Sequence, residues 1–191
     1  LQILRTGKGG SDTAHGKIVE QLHQSWAPIW IDDTPGLTVL ELRARARYLV
    51  QRHAAELLVV DYLQLLETDT PTDNSEREAR IVARALKRMA RETGVPVLAL
   101  SQLSRAPEAR ADRLPWLSDL RYSGSIEQDA DLVILLHRPE MYGIMEERGI
   151  STEGVMEVAL AKQRQGATGT IRAQWDGPTA TVRDLEWRRT L

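Results

Sequence analysis

The sequence predicts an α/β protein with a mostly parallel sheet flanked by helices and with antiparallel strands towards its carboxyl-terminal side. Two observations support this prediction. Short, continuous apolar runs alternate with segments whose apolar residues repeat at helical spacing, which is typical of a parallel sheet between helices. From residue 154 onward, apolar or alternating runs follow one another with turn residues between them, which is typical of antiparallel hairpins.

Size and composition limit the classes of protein to consider. The chain has 191 residues, 42% hydrophobic and 27% charged, which is ordinary for one soluble domain with a full core. The net charge of -2 gives no sign of nucleic-acid binding, so such binding has to be local or shared among subunits. The absence of cysteine excludes disulfides and thiolate metal sites. Because no apolar run approaches a membrane span and no signal peptide is visible, we expect a cytoplasmic protein without a membrane partner.

The first half of the chain contains helical segments separated by apolar runs. Helical spacing at 18–26 precedes a short expected strand that ends at Pro35. A Thr-x-x-Glu capping box at Thr38 begins the next helix, and a second box at Ser75 begins another, which Gly94 ends. Two apolar runs are expected to be strands buried on both faces. They are ELLVVDYLQLL at 56–66 and VPVLALS at 95–101.

The second half begins with a polar stretch at 103–125 that has no periodicity. It is too long for an idle connection in a compact domain, so we expect it to have a function. Another buried strand is expected in DADLVILLHR, at 129–138. Three hairpin strands complete the prediction. They are GVMEVALAKQR, TGTIRAQWD and TATVRDLEW.

Two polar residues stand where an open α/β sheet binds its ligands. Asp61 comes directly after the apolar residues 57–60, and Gln102 ends the next expected strand. Because the carboxyl ends of neighbouring parallel strands meet at one edge, we expect these residues on adjacent strand tips. A carboxylate there can hold Mg²⁺ or its water beside a nucleotide, and an amide can contact a phosphate or position water. A turn-forming aspartate and a capping glutamine are the ordinary alternatives.

Two later stretches carry groups suited to phosphates. The run DLRYSGSIEQDAD includes Arg121, which can pair with phosphate, and Gly124, where another backbone can approach closely. Lys162 and Arg164 are two residues apart, so we expect them on one face of a strand. There they can act as an arginine finger towards the nucleotide of a neighbouring subunit. A solvated surface is the ordinary alternative for both stretches.

The order and spacing of five stretches together resemble the DnaB-type replicative DNA helicases. The stretches are IDDTPGLTVLELRARAR, LLVVDYLQLL, RALKRMARETGVPVLALSQLSR, SDLRYSGSIEQDADLVILLHR and AKQRQGATGTI. The resemblance runs from about Leu4 to Leu185 and covers the carboxyl-terminal motor of that family. It implies a RecA-like fold, with residues 1–191 forming a single motor domain that is incomplete at its amino-terminal side.

The resemblance also implies a function. It implies a homo-hexamer that hydrolyses ATP with Mg²⁺ at its subunit interfaces, moves 5′–3′ along single-stranded DNA, and unwinds duplex DNA. Primase and a helicase loader are the implied protein partners. By position, Asp61 corresponds to the acid beside Mg²⁺ and Gln102 to the sensor between the phosphate site and the DNA loops. Lys162 and Arg164 correspond to the catalytic fingers that reach a neighbour's triphosphate.

The implied DNA-binding loop consists of Arg121, Tyr122 and Gly124. The family usually reads Arg-Glu-Ser-Gly at this place, so Tyr122 is a departure from its pattern. Much of the grip on DNA in such a loop comes from backbone amides, so we expect the change to leave binding intact. Tyr122 can also stack on a base.

The glycine-rich stretch GGSDTAHGK at 9–17 does not match a phosphate-binding loop. Five residues separate Gly10 from Gly16, and Lys17 is followed by Ile18 instead of Ser or Thr. The resemblance places the phosphate loop and the catalytic Glu upstream of Leu1. We therefore expect the chain, taken alone, to be inactive as an ATPase.

Two other functions stay open at this point. One is a catalytically inactive ring-forming or DNA-binding paralogue, which would lack a phosphate loop in the preceding sequence. The other is a RecA-like ATPase of the recombinase or circadian-clock type. The Lys-Gln-Arg run at 162–164 and the run SGSIEQ favour the helicase over this last class.

Overall fold

The structure is a computed structural model. It describes residues 28–69, 74–120, 122–147 and 149–185. Contacts divide the chain into two compact units, Leu1–Leu37 and Thr38–Leu191. The helix expected at 18–26 and the stretch at 9–17 lie outside the described residues.

The described part of the first unit contains no regular strand, so the strand expected before Pro35 is wrong. Only Ile31 has a β-bridge conformation. Ile29 and Ile31 are 62% and 50% exposed, so their side chains gain little burial from a sheet. Pro28 and Pro35 lack the N–H group that a ladder requires, which further limits strand formation here.

Helix α1 (Val39–His53) opens the second unit and begins as the sequence predicts. The Thr38 hydroxyl accepts a hydrogen bond from the Glu41 N–H at 3.3 Å, and the Glu41 carboxylate accepts one from the Thr38 N–H at 3.0 Å. This reciprocal capping box satisfies two N–H groups that the helix leaves without partners. The helix ends at Ala54, which adopts a left-handed conformation with φ 51°.

Helix α2 (Ser75–Thr93) begins one residue earlier than the predicted capping box implies. Asn74 is the N-cap, and its side chain accepts a hydrogen bond from the Arg77 N–H at 3.0 Å. Asparagine caps as well as serine, so Ser75 becomes the first helical residue. Gly94 ends the helix with φ 71°, as predicted. No helix in the described ranges is long and apolar enough to span a membrane.

The strands form two main sheets. Strands β1 (Leu58–Val60) and β2 (Val97–Ala99) are parallel neighbours connected through α2. The remaining α-helix and strands described are α3 (Ser123–Asp129), β3 (Leu132–His137), β4 (Glu146–Glu147), β5 (Ile150–Ser151), β6 (Val155–Gln163), β7 (Gly169–Asp176) and β8 (Thr181–Asp184). Strands β3, β6, β7 and β8 form an antiparallel sheet in the order β3-β6-β7-β8, and β4 pairs with β5.

The antiparallel carboxyl-terminal strands are confirmed, whereas a mostly parallel sheet is not seen in the described ranges. β1–β2 is the one parallel pair of strands there, because β3 pairs with β6 of the antiparallel sheet. The expected burial of strands on both faces is also wrong. Val59, Leu98 and Ile134 are 57%, 51% and 52% exposed, since the described core lies on one face of these strands.

One hydrophobic core links both sheets to the helices. Its buried members come from α1, β1, α2, α3 and β3, and Leu63 and Leu120 join them from the segments after β1 and before α3. Burial of such side chains contributes roughly 1.5–3 kcal/mol each. Ile126 attaches the short helix α3 to this core, which fixes the helix against α2.

The polar stretch after β2 is an ordered connection that a buried ion pair holds together. Asp119 is 1% exposed and accepts hydrogen bonds from Arg110 Nη1 at 2.7 Å and Nη2 at 2.5 Å. The Trp116 N–H donates to the same carboxylate at 2.7 Å. The Ser104 N–H donates to the Asp119 carbonyl at 2.7 Å and closes the base of the loop. The chain therefore reaches α3 from a fixed starting point.

Candidate functional site

Asp61 and Gln102 lie at one edge of the parallel pair, as predicted. Val60 is in register with Ala99, Asp61 directly follows β1, and Gln102 follows β2 closely. Both side chains are exposed. Within the described ranges, neither side chain makes a hydrogen bond or an ion pair. Their polar groups are therefore available to a ligand.

Gln64 connects the two strand tips, and the sequence analysis missed it. Its Nε2 donates to Ser101 Oγ at 3.0 Å, and its Oε1 accepts from the Gln102 N–H at 3.4 Å. In the sequence, Gln64 stands out only as a single polar amide inside the apolar run after Asp61. Gln64 fixes the backbone of Gln102 relative to the end of β1.

The donor set at this edge fits a nucleotide-bound Mg²⁺ ion. Mg²⁺ in such sites is commonly held by one or two carboxylates together with phosphate oxygens and water. Asp61 supplies an exposed carboxylate, and Gln102 supplies an amide beside it. A nucleotide-bound ion would bring its phosphate and water ligands with it.

The predicted DNA-binding stretch turns into a helix earlier than expected. Tyr122 is the residue before α3 and has a left-handed conformation, with φ 66° and ψ 40°. Gly124 lies in the first turn of α3 and is exposed, and a Cβ atom added there would meet nothing within 4 Å. Gly124 thus belongs to a helix instead of a loop, and the space over its backbone is open. Arg121 lies outside the described residues.

Lys162 and Arg164 reach the same turn of α3, although Arg164 directly follows β6 instead of lying in it. Lys162 Nζ donates to the Glu127 carbonyl, and Arg164 Nη2 donates to the Gln128 carbonyl at 3.1 Å. Both carbonyls belong to the last turn of the helix, which ends at Ala130. Cations at a helix carboxyl terminus are favourable, because they bind carbonyls that lack helical partners and face the negative end of the dipole.

A β-bulge precedes these two cations. Val133 is in register with Lys162, but Ile134 is in register with Leu160, so Ala161 is an extra residue in β6. Bulges interrupt the alternation of side chains and redirect those that follow. The direction of Lys162 is therefore set by the bulge and not by simple alternation along β6.

Asp131 is a further residue that the sequence analysis did not single out. One of its carboxylate oxygens accepts a hydrogen bond from Lys87, and the other lies 3.5 Å from Arg164 Nη1. The Lys87 hydrogen bond holds the pKa of Asp131 below its usual range, and the charges of Lys87 and Arg164 act in the same direction. Asp131 is thus a carboxylate at neutral pH.

The structure therefore arranges the predicted residues in two groups. Asp61 and Gln102 share the edge of the parallel pair, whereas Lys162 and Arg164 lie against the end of α3. Among the described residues, no hydrogen bond or ion pair joins the two groups.

The sequence matches a known family. The family described as DnaB-like helicase C terminal domain matches residues 1–184. The chain is 49% identical over 172 residues to a replicative DNA helicase DnaB of Mycobacterium intracellulare, covering 90% of this chain and 29% of the relative. It is 43% identical over 172 residues to a replicative DNA helicase DnaC of Bacillus subtilis (strain 168), covering 89% of this chain and 37% of the relative.

Two solved structures are similar. One is a DnaB-like replicative helicase described with its interactions with primase, at TM-score 0.79 and 35% identity, covering 92% of this chain and 42% of that one. The other is described as an ATPase domain, at TM-score 0.79 and 36% identity, covering 92% of this chain and 62% of that one. The chain spans less than half the length of the curated relatives named above. With the family matched over nearly its whole length, the chain belongs to the DnaB-like helicase C terminal domain family.

Proposed function

We propose that the complete protein is a replicative DNA helicase that couples ATP hydrolysis to movement on single-stranded DNA and to duplex unwinding. In this proposal, residues 1–191 form a single RecA-like motor domain, and the parallel β1–β2 pair belongs to a mostly parallel sheet. Family membership and the two similar solved structures support this proposal. The observation that carries it is the register of β1 with β2, because it brings Asp61 and Gln102 to one edge.

At this edge, Asp61 is proposed to hold Mg²⁺ or its water, and Gln102 to contact the terminal phosphate of ATP. When bound, the ion supplies charge neutralisation for phosphoryl transfer. The contribution of the protein is to keep a charged carboxylate and an amide in place, which Gln64 supports through Ser101 and the Gln102 backbone. Both side chains are exposed and have no competing partner in the described ranges, which supports their assignment to a ligand.

Lys162 and Arg164 are proposed to act on the triphosphate of a neighbouring subunit. The Arg164 side chain is 48% exposed although it contacts α3, so about half of it stays open to solvent. A guanidinium has five N–H donors, and the two contacts described here leave others for phosphate oxygens. This role requires a site shared between two subunits of a homo-hexamer.

Arg121, Tyr122 and Gly124 are proposed to contact single-stranded DNA. The open space over Gly124 supports close approach of a sugar-phosphate backbone. An arginine on phosphate contributes through counterion release, so its contact is independent of sequence. Primase and a helicase loader are the proposed protein partners, and the similar helicase structure described with primase supports the first of them.

The proposal is tested by Asp61→Asn in the complete protein. We expect ATPase turnover to fall at least about 100-fold, because loss of a preorganised charge at a phosphoryl-transfer site removes several kcal/mol of stabilisation. Duplex unwinding on a forked substrate is expected to fall with it. The matched control is Asp184→Asn, which changes an exposed carboxylate at the end of an antiparallel strand. Equal turnover in the two variants, with rings assembled in both, would remove Asp61 from the ATPase site.

A further inference from the structure

We propose that Asp131 is a positioning residue that holds Arg164 in place for its action on the neighbouring subunit, and that Lys87 anchors Asp131 for this purpose. The inference rests on the proposed finger role of Arg164. Asp131 contacts Arg164 through two different groups. Its carboxylate lies 3.5 Å from Arg164 Nη1, and its backbone carbonyl accepts a hydrogen bond from the Arg164 N–H at 3.0 Å.

The backbone hydrogen bond fixes the position of the Arg164 main chain. Asp131 directly precedes β3, and Arg164 directly follows β6, so their hydrogen bond extends the β3–β6 pairing by one step. The carboxylate contact then restricts the far end of the same side chain. Because Arg164 Nη2 also donates to the Gln128 carbonyl, the guanidinium is held by groups on both sides of Ala130.

Lys87 connects this arrangement to the rigid part of the domain. It lies on α2 between Leu86 and Met89, which are buried in the core, and its own side chain is 21% exposed. Its Nζ donates to the Asp131 carboxylate. Asp131 therefore lies between Lys87, on a helix that packs in the core, and the half-exposed Arg164 directly after β6.

This arrangement suits positioning better than stabilisation of the fold. Asp131 and Arg164 are 54% and 48% exposed, and an exposed ion pair contributes about 0–1 kcal/mol to folding. Placement of a catalytic group is more sensitive, since a shift of about 1 Å can cost roughly 100-fold in rate. Loss of the carboxylate is therefore expected to change catalysis much more than folding.

Asp129 provides a matched control on the same segment. Its carboxylate lies 3.7 Å from Arg84 Nε, so it also pairs with an arginine of α2. It is not a partner of Arg164 in the structure. The two aspartates thus differ in whether their carboxylate contacts the proposed finger.

The test compares Asp131→Asn, Lys87→Met and Asp129→Asn in the complete protein by steady-state ATPase kinetics. We expect Asp131→Asn to lower kcat about tenfold with KM for ATP within about twofold, because a misplaced finger loses an interaction made in the transition state. Lys87→Met is expected to change kcat in the same direction by a smaller factor. Asp129→Asn is expected to stay within about twofold of the unchanged protein.

A double variant separates positioning from general structural damage. Asp131→Asn combined with Arg164→Ala is expected to be no slower than Arg164→Ala alone, because the carboxylate acts through Arg164 and the two effects are not additive. If Arg164→Ala itself leaves kcat unchanged, the finger assignment fails and this inference fails with it. If Arg164→Ala inactivates the protein while Asp131→Asn and Lys87→Met match Asp129→Asn, the positioning role alone is wrong.

Discussion

Two arginine–aspartate pairs stand on either side of helix α3, and they differ in almost every physical respect. Before the helix, Arg110 makes two hydrogen bonds with Asp119, whose side chain is 2% exposed. After the helix, Arg164 contacts Asp131 at 3.5 Å, and both side chains are about half exposed. The same two residue types therefore serve different purposes in one small region.

The two pairs differ in how much of the arginine side chain remains free to contact another molecule. The Arg110 guanidinium also donates to the Leu114 carbonyl at 2.8 Å and lies over the Trp116 ring, with 4.2 Å to its centroid. The Arg110 guanidinium therefore makes its contacts within the loop, and these contacts stabilise the conformation of the loop. Arg164 instead keeps about half of its side chain open to solvent. A buried pair fixes structure, whereas an exposed pair can orient a side chain for another molecule.

The largest effect is expected from the exposed pair. In the complete protein, Arg164→Ala should lower ATPase turnover about 1,000-fold, the usual value for an arginine finger. Because the pair is exposed, the free energy of unfolding should change by less than about 1 kcal/mol. Steady-state ATPase assays and urea unfolding measure the two quantities. A large loss of stability would contradict the contrast drawn between the pairs.

Mixing provides the control for action across an interface. Asp61→Asn subunits retain Arg164, and Arg164→Ala subunits retain Asp61, so mixed rings contain some interfaces with both groups intact. We expect partial recovery of ATPase activity in the mixture. Rings that assemble but recover no activity would contradict the assignment of Arg164 to the neighbour's site.

The next largest effect is expected from the buried pair. Asp119→Ala should destabilise the domain by about 3 kcal/mol, because it leaves the Arg110 charge without its partner and the Trp116 N–H without its acceptor. Urea unfolding of the motor domain measures the change. The matched variant Asp131→Ala should cost no more than about 1 kcal/mol, since its carboxylate is exposed. Equal costs would show that burial does not separate the two pairs.

A smaller effect is expected from acid. The hydrogen bonds from Arg110 hold the pKa of Asp119 below its usual range. Burial raises this pKa, and the hydrogen bond from the Trp116 N–H lowers it further. A carboxyl group with a lowered folded pKa stabilises the fold above its unfolded pKa of about 3.9, and this contribution is lost as pH falls through the folded pKa. The stability difference between the unchanged protein and Asp119→Asn should therefore shrink below about pH 4. Unfolding midpoints measured from pH 7 to pH 3 should show this, and a constant difference would assign the stabilisation to packing.

The features that the sequence predicted well depend on neighbouring residues. The capping box at Thr38 needs only the Thr-x-x-Glu spacing, and the edge shared by Asp61 and Gln102 needs only two apolar runs that end in polar residues. The position of Asn74 shows the limit of such local rules. Two adjacent residues could cap the helix. Asn74, and not Ser75, accepts the hydrogen bond from the Arg77 N–H.

Features that depend on distant residues were not predictable from spacing. Lys87 and Asp131 are 44 positions apart, and Gln64 meets Ser101 across 37 positions. The bulge at Ala161 depends on the pairing of β6 with β3, which leaves no mark in an apolar run. Burial on one face of β1 also depends on which helices cover the strand, and its continuous apolar sequence does not record this.

Helix α3 is short enough for its length to matter as much as its side chains. It has seven residues, so its axis is about 10 Å long, and it contains no proline. Tyr122 stands at one end, and the carbonyls that hold Lys162 and Arg164 stand at the other. Each residue advances a helix by about 100°. A single inserted or deleted residue would therefore turn one end relative to the other by about a quarter of a turn, so the segment from 122 to 131 is expected to tolerate substitutions far better than changes in length.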